Sequence, residues 1–475
     1  LFASRKPEPL VQVPDLSCPV DGCCDGIDCD PAAHRKHHTV REKIGSGMAF
    51  SFRELWPDLA PWFVLGMLLA GVDLSKISIN FVSNSQSTVI LAMFCALGQE
   101  VGTDWKLLSG TMQNDALKEY QAQKSYYFPP EPSVRLILDT IAFCTRHLPK
   151  FNPISISGYH LASAGASPIQ ELAFTLSNGF YYVEKGIEAG LDIDEFAPRL
   201  SFFFKAHNDF FENVAKFRAA RRIWARTMKE RFGARNPASW RFRVHTQTSG
   251  SSLTAQQMEN NIIRTTVQAL SAVMAGTQSL HTNAHDEAMS IPTEQSEKLA
   301  LRTQQILLHE SGAASTIDPL AGSYYVEALT HRMEAACEGI FKTIADMGGV
   351  IAGIENGYFQ REIAQSAFRY QQSLERGERI VVGLNRYVEE EETEIQLREV
   401  APEFEKKKIA ALRAFKEQRE PERIRKKGEE LRTACESGEN VMPVLIPAVQ
   451  EGMTLGEAVA HMKDVFGIYR EEAIF

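Results

Sequence analysis

From about Lys76 onward the chain alternates short runs of β-branched and aromatic residues with longer amphipathic stretches, the pattern of a parallel βα fold. The strand candidates are residues 76–82, 107–111, 153–158, 199–204, 241–246, 277–282 and 379–384. Between them the apolar period lengthens to that of a helix. After the run at 199–204, Phe210, Val214, Phe217, Trp224 and Met228 form one stripe, while Arg218, Arg221 and Arg222 lie off it. After the run at 241–246, Thr254 and Gln257 read as a capping box opening a helix that buries Ile263, Val267 and Leu270. Strand followed by helix, repeated, implies a barrel or an open sheet.

Beyond Tyr387 the pattern becomes strongly charged and mostly helical, as in a solvated linker helix, and an apolar helical tail expected to dock on a neighbour returns from Met442. A length of 475 residues accommodates about three domains, or one large α/β barrel with an appendage. With 44% hydrophobic and 23% charged residues the chain has the balance of a globular protein, and its net charge of -9 argues against nucleic acid held by a general positive field. The longest apolar run, residues 59–72, is interrupted by Pro61 and falls short of the ~20 residues of a membrane crossing. No secretory leader pattern is found. Cys95, Cys144, Cys337 and Cys435 are scattered, as expected of buried thiols in a reducing compartment, with the cytoplasm as the default.

Polar residues gathered past the ends of parallel strands usually mark the active site of such folds. GTMQND (110–115), SGYH (157–160), FAPRLSFF (196–203), HTQTSG (245–250) and GTQSLHTN (276–283) each place a Thr, Gln, His or Arg at a strand end. This ring has amides, hydroxyls and imidazoles, one arginine and few carboxylates, so it lacks the paired acids of a glycoside hydrolase. No G-x-S-x-G, H-E-x-x-H or G-x-x-x-x-G-K-[ST] motif occurs. The expected site holds and orients a ligand.

These motifs, with FPPEPS (128–133), PKFNPISISGYH (149–160), DPLAGSYYVE (318–327) and VVGLNRY (381–387), resemble the large chain of the methylmalonyl-CoA mutase family, in order from about Gly71 to the C-terminus. The resemblance implies an α/β fold, a (β/α)8 TIM-type barrel over residues 71–387 with its first strand missing or improvised, and a mainly helical extension over 388–475. It also implies adenosylcobalamin as cofactor and a radical 1,2-migration of a thioester group in an acyl-CoA. By the same resemblance, His160 hydrogen-bonds or partly protonates the migrating thioester carbonyl, with Tyr159 beside it. Thr111, Gln113 and Gln278 contact the substrate. Lys150, Arg199 and Ser201 bind the CoA portion, and His245, Gln247 and Glu287 face the corrin or adenosyl group.

Two departures from the family pattern bear on mechanism. Methylmalonyl enzymes carry an arginine where this chain has Gln123, and a neutral amide does not neutralise a buried carboxylate. The resemblance therefore favours isobutyryl-CoA or 2-hydroxyisobutyryl-CoA as substrate. The alternatives are methylmalonyl-CoA, with Lys124 swinging in to supply the charge, and a non-catalytic acyl-CoA-binding relative. Second, no D-x-H-x-x-G cobalt-ligating signature occurs in the chain, which implies a separate small cobalamin-binding subunit and a hetero-oligomer.

The first 70 residues fit neither the fold nor a metal site. Cys18, Cys23, Cys24, Cys29, His34, His37 and His38 follow C-x4-C-C-x4-C-x4-H-x2-H-H, without the C-x2-C pairing of zinc modules, so no metal site is expected. The stretch reads as foreign to the family, with poor order, as from a shifted reading frame or a truncated gene model.

Overall fold

The computed structural model describes residues 71–389 and 402–471, so the expectations for the first 70 residues lie outside the described residues. Its strands are β1 (Ser78–Phe81), β2 (Ser109–Met112), β3 (Phe151–Asn152), β4 (Ile154–Ser157), β5 (Leu200–Ala206), β6 (Val244–Thr248) and β7 (Ser279–His281). All pair in parallel, in the orders β1-β2-β3 and β4-β5-β6-β7. Pro153 separates β3 from β4 because it has no N–H to donate. The neighbouring Ser155 N–H reaches the Gln113 carbonyl at 2.9 Å and carries the sheet across that break. The result is an arc of strands in sequence order, the wall of a (β/α) barrel, and among the described residues no ladder joins β7 back to β1.

Helices α1 (Ser87–Glu100), α2 (Pro130–His147), α3 (Tyr159–Ser163), α4 (Pro168–Glu188), α5 (Phe210–Glu230) and α6 (Asn260–Met274) follow successive strands. Along β5, Phe202 and Phe204 are buried on the helix side, where Phe202 meets the Trp224 ring of α5 edge-on at 4.9 Å. The alternate residues Ser201, Phe203 and Lys205 therefore face the concave side, since successive strand side chains point to opposite faces. The apolar stripe of α5 is as expected: Val214, Phe217, Trp224 and Met228 are buried. Arg218, though off the stripe, is also buried, with Asp318 and Glu327 as its ion-pair partners.

Three local expectations are corrected. Residues 379–384 form a turn with one isolated bridge, Val382 to Arg386, because the Asn385 amide accepts from Val381 N–H at 2.8 Å and donates to the Arg379 and Leu374 carbonyls. The Thr254–Gln257 pair caps no helix. Thr254 donates to the Gln256 carbonyl at 2.8 Å, Gln257 is left-handed at φ 46, and α6 begins at Asn260. That helix buries its polar side, Asn261, Thr265 and Gln268, and leaves Ile263 and Val267 exposed. Gln268 is needed inside, accepting from Ser249 N–H at 2.7 Å and donating to Asn208 Oδ1 at 2.6 Å.

The charged region contains helices Pro402–Gln418 and Pro421–Ser437, and the apolar tail forms Met442–Gln450 and Leu455–Phe466. The tail's neighbour is the first barrel unit: Met442, Leu445 and Ile446 share one core with Leu91, Phe94 and Phe151. A second core, around Phe202, Trp224 and Phe359, lies under β4 and β5. Cys95, Cys144, Cys337 and Cys435 are free and buried, and no helix among the described residues is long and apolar enough to cross a membrane.

Gly110 lies where β1, β2 and β3 crowd most. A Cβ there would press on the Ile79 carbonyl and the Phe151 ring, and both are fixed in the sheet. Gly110→Ala is expected to lower stability by about 1–3 kcal/mol, read as an earlier midpoint in urea unfolding.

Candidate active site

The loop after β2 builds the C-terminal mouth of the arc. Gln113 prolongs the strand, accepting from Ser155 N–H and donating its own N–H to the Phe81 carbonyl at 2.9 Å, before Asn114 turns the chain at φ 40. Asp115, fully buried, then accepts from Ser157 N–H and from the Tyr182 hydroxyl, both at 2.8 Å. Burial raises its pKa, and these bonds fix the end of β4 against the loop. A π-helical turn follows, Glu119–Gln123, closed by Lys124 N–H on the Glu119 carbonyl at 2.8 Å. Such i→i+5 turns cluster at functional sites.

Here that turn sets Lys118, with no side-chain exposure, among the predicted substrate residues. Its ammonium lies 2.7 Å from Gln113 Oε1, 2.8 Å from Gln123 Oε1 and 3.0 Å from His160 Nδ1. The same His160 nitrogen is 2.8 Å from Ser157 Oγ. Burial pushes the Lys118 pKa down, and it pushes that of Glu119, 3.8 Å away, up. Burial, then the adjacent ammonium, lowers His160 to about 2, so the imidazole is neutral across the working pH range. Lys124 does not enter this pocket. It pairs with Glu471 and donates to the Tyr120 carbonyl at 3.4 Å.

Tyr159 opens α3 and stacks on Phe203 at 4.9 Å and 3°. Ser157, Phe203, His245 and Ser279 form one register row across β4 to β7, and Lys205, Gln247 and His281 form the next row outward. His245 Nδ1 is 2.7 Å from Ser279 Oγ, and burial together with His281 lowers its pKa to about 4. Gln247 donates to Asn283 Oδ1 at 3.0 Å. A Cβ on Gly250 would stand 2.9 Å from Asn283 Nδ2, 3.1 Å from Glu287 Oε1 and 3.3 Å from the Tyr159 hydroxyl, so these groups converge on the mouth.

Burial, then Asp286, raises Glu287 from 4.5 to about 7. The native carboxyl therefore keeps a proton that the unfolded chain releases at about 4.5. Its contribution to stability is complete below that pH and is lost as pH rises through about 7. Glu287→Gln should flatten this fall, measured as urea midpoints across that pH window.

The other predicted residues lie elsewhere, so the expectation of a single ring at one set of strand ends is corrected. Lys150 precedes β3, Arg199 precedes β5 and Gln278 precedes β7, all at the N-terminal mouth. Arg199 is lowered by burial and by Arg243, a pairing of like charges that suits an anion. Gln278 is tied to backbone, accepting from Val244 N–H at 2.6 Å and donating to the Gly276 carbonyl at 3.1 Å. Thr111 and Ser201 contribute small polar side chains to the concave face between the mouths. Thr111 accepts from Asn152 Nδ2 at 3.0 Å, and Ser201 donates to the Ile154 carbonyl at 2.8 Å. Sequence reasoning missed Lys118, although it stands five residues before Gln123, the spacing of an i→i+5 turn.

Comparison with known proteins gives the same picture along the chain. A family described as Methylmalonyl-CoA mutase matches residues 64–468. The 2-hydroxyisobutanoyl-CoA mutase large subunit of Aquincola tertiaricarbonis is 48% identical over 410 residues, covering 86% of this chain and 73% of that one. The methylmalonyl-CoA mutase of Escherichia coli is 41% identical over 404 residues, and these cover 85% of this chain and 56% of the relative. The human mitochondrial enzyme is 39% identical over 406 residues, 85% and 54% of the two chains. The chain thus spans about half the length of these two methylmalonyl-CoA mutases.

Proposed function

The chain belongs to the methylmalonyl-CoA mutase family, and from that membership we propose that it is the catalytic large subunit of an adenosylcobalamin-dependent acyl-CoA mutase. One observation carries the reading: the concave face of the arc has arginines and a lysine at its N-terminal mouth and gathers His160, Gln113 and Gln123 around Lys118 at its C-terminal mouth. Arg199, Arg243 and Lys150 suit the phosphates of CoA. Small residues such as Thr111 and Ser201 leave room for the pantetheine arm, where most barrels of this type are filled by branched side chains. His160, Gln113 and Gln123 then receive the thioester and its acyl group.

The residues at the C-terminal mouth fit the cofactor. His245 is neutral, Glu287 is held largely protonated up to about pH 7, and Gln247 is an amide, a donor set matched to the amide-fringed corrin. Bound adenosylcobalamin supplies the radical chemistry of the rearrangement. The chain's own residues grip the thioester carbonyl from His160, keep the acyl group in register with Gln113 and Gln123, and pack Tyr159 over the channel to exclude water. Cobalt ligation falls to a small cobalamin-binding partner, which the "large subunit" in the name of one relative supports. The four buried free thiols accord with a reducing, cytoplasmic setting.

The substrate is a short branched acyl-CoA of the isobutyryl or 2-hydroxyisobutyryl type. An acyl carboxylate would meet the Gln123 amide in place of a guanidinium, and that amide turns its oxygen, not its NH2, to the Lys118 ammonium at 2.8 Å. The test combines the chain with a cobalamin-binding small subunit, adenosylcobalamin, and isobutyryl-CoA, 2-hydroxyisobutyryl-CoA or methylmalonyl-CoA. Rearrangement of one of the first two is expected. Turnover of methylmalonyl-CoA alone would reverse the substrate assignment, and binding without rearrangement of any thioester would identify a non-catalytic relative.

A further inference from the structure

We propose that Lys118 is a positioning residue that turns Gln113, Gln123 and His160 so that each presents an N–H to the acyl pocket. The role rests on reading this mouth as an acyl pocket; the geometry itself does not. An ammonium has three hydrogens to donate and no lone pair to offer. Whatever faces it must accept, so both amides turn their oxygens inward, at 2.7 and 2.8 Å. Their NH2 groups are left for the ligand.

The same constraint selects the imidazole tautomer. Lys118 Nζ is closer to His160 Nδ1, at 3.0 Å, than to Nε2, at 3.4 Å. An Nδ1–H form would point its hydrogen at a cation, so Nδ1 accepts and the proton resides on Nε2. Ser157 Oγ also lies 2.8 Å from Nδ1, whose single lone pair the ammonium and the hydroxyl then share. The charges around Lys118 are the Glu119 carboxyl at 3.8 Å and the buried Asp115 on the preceding loop, and both favour the ammonium form.

A pocket presenting N–H groups selects acyl chains that carry an acceptor oxygen. It has one N–H for the thioester carbonyl and two amides for an oxygen beyond it, which is the chemistry of a 2-hydroxyacyl thioester more than of a plain branched acyl group. One such hydrogen bond corresponds to roughly tenfold in affinity.

The experiment uses the full chain labelled with 15N-histidine, with His160→Gln identifying the His160 signals. Wild type should show the Nε2–H tautomer, Lys118→Arg should keep it, and Lys118→Met should give a tautomer mixture. An Nδ1–H wild type, or an unchanged Lys118→Met spectrum, overturns the proposal; if Lys118→Met does not fold, the wild-type and Lys118→Arg spectra decide it. Calorimetric titration of the same proteins with 2-hydroxyisobutyryl-CoA and isobutyryl-CoA reads selectivity. Roughly tenfold tighter binding of the hydroxy compound, lost in Lys118→Met, is expected. Equal binding by wild type overturns the selectivity. Failure to bind either thioester overturns the acyl-CoA reading, while the histidine spectrum still decides what Lys118 does.

Discussion

Replacing His160 with alanine is expected to cut mutase turnover by about 10²- to 10³-fold, the range seen when one preorganised donor to a reacting carbonyl is removed. Binding of the acyl-CoA should change far less, because the proposed complex places the CoA portion at the opposite mouth, beside Arg199, Arg243 and Lys150. The two effects separate as a fall in kcat with a nearly constant KM in the reconstituted enzyme. Burial and Lys118 hold the imidazole at about 2, so the pH profile of the wild type should show no limb from His160 in the neutral range. In the proposed mechanism the neutral imidazole serves as a hydrogen-bond donor, not as a titrating acid. An unchanged kcat in His160→Ala would remove His160 from the chemistry.

The largest loss of stability is expected at Glu171. Its Oε2 pairs with Lys216 at 2.5 Å, with the two side chains 2% and 1% exposed, while Oε1 accepts from Lys205 N–H at 2.8 Å. Lys216 in turn donates to the Lys205 carbonyl at 2.6 Å. This cluster joins α4 and α5 to the end of β5. Glu171→Ala strands a buried ammonium and should cost about 3–5 kcal/mol. Combining Glu171→Met with Lys216→Met removes both charges and should recover much of that loss, so urea unfolding of the double-mutant cycle measures the coupling. Equal effects of the single and double replacements would show that packing, not charge, holds this corner.

Much of the barrel was legible because a buried parallel strand favours β-branched and aromatic residues, and the runs that became β1, β4 and β5 have them. Residues 379–384 carry the same signal, yet the Asn385 side chain captures the backbone there and folds it into a turn. The capping pattern at Thr254 failed for a similar reason. Asn261 holds Thr254 from both sides, accepting its N–H at 3.1 Å and donating to its carbonyl at 2.8 Å, before the helix can start. These are long side-chain claims on backbone that a local pattern does not reveal.

At the site, His160, Gln113 and Gln123 were legible through the family resemblance, and the structure brings them together. Lys118 was not, because a lysine in the run NDALKEYQ reads as a solvated helix residue. Only the wider π turn brings it inside. The division of the predicted residues between two mouths was equally hidden, since a motif string does not tell whether a side chain stands at the start or the end of its strand.

The distance between those mouths has a consequence for recognition. β5 runs for seven residues, which sets roughly 20 Å between Arg199 at its start and the C-terminal mouth at its end. A thioester that engages both mouths is a bivalent ligand whose pantetheine arm is the linker. Its affinity follows the effective concentration that the arm creates for the second end once the first is bound. Free CoA and a short acyl-pantetheine should each bind weakly, and an arm lengthened or shortened by a few atoms should lose most of the avidity while every contact residue stays intact. In the proposed complex the strand length would set the length of substrate that fits.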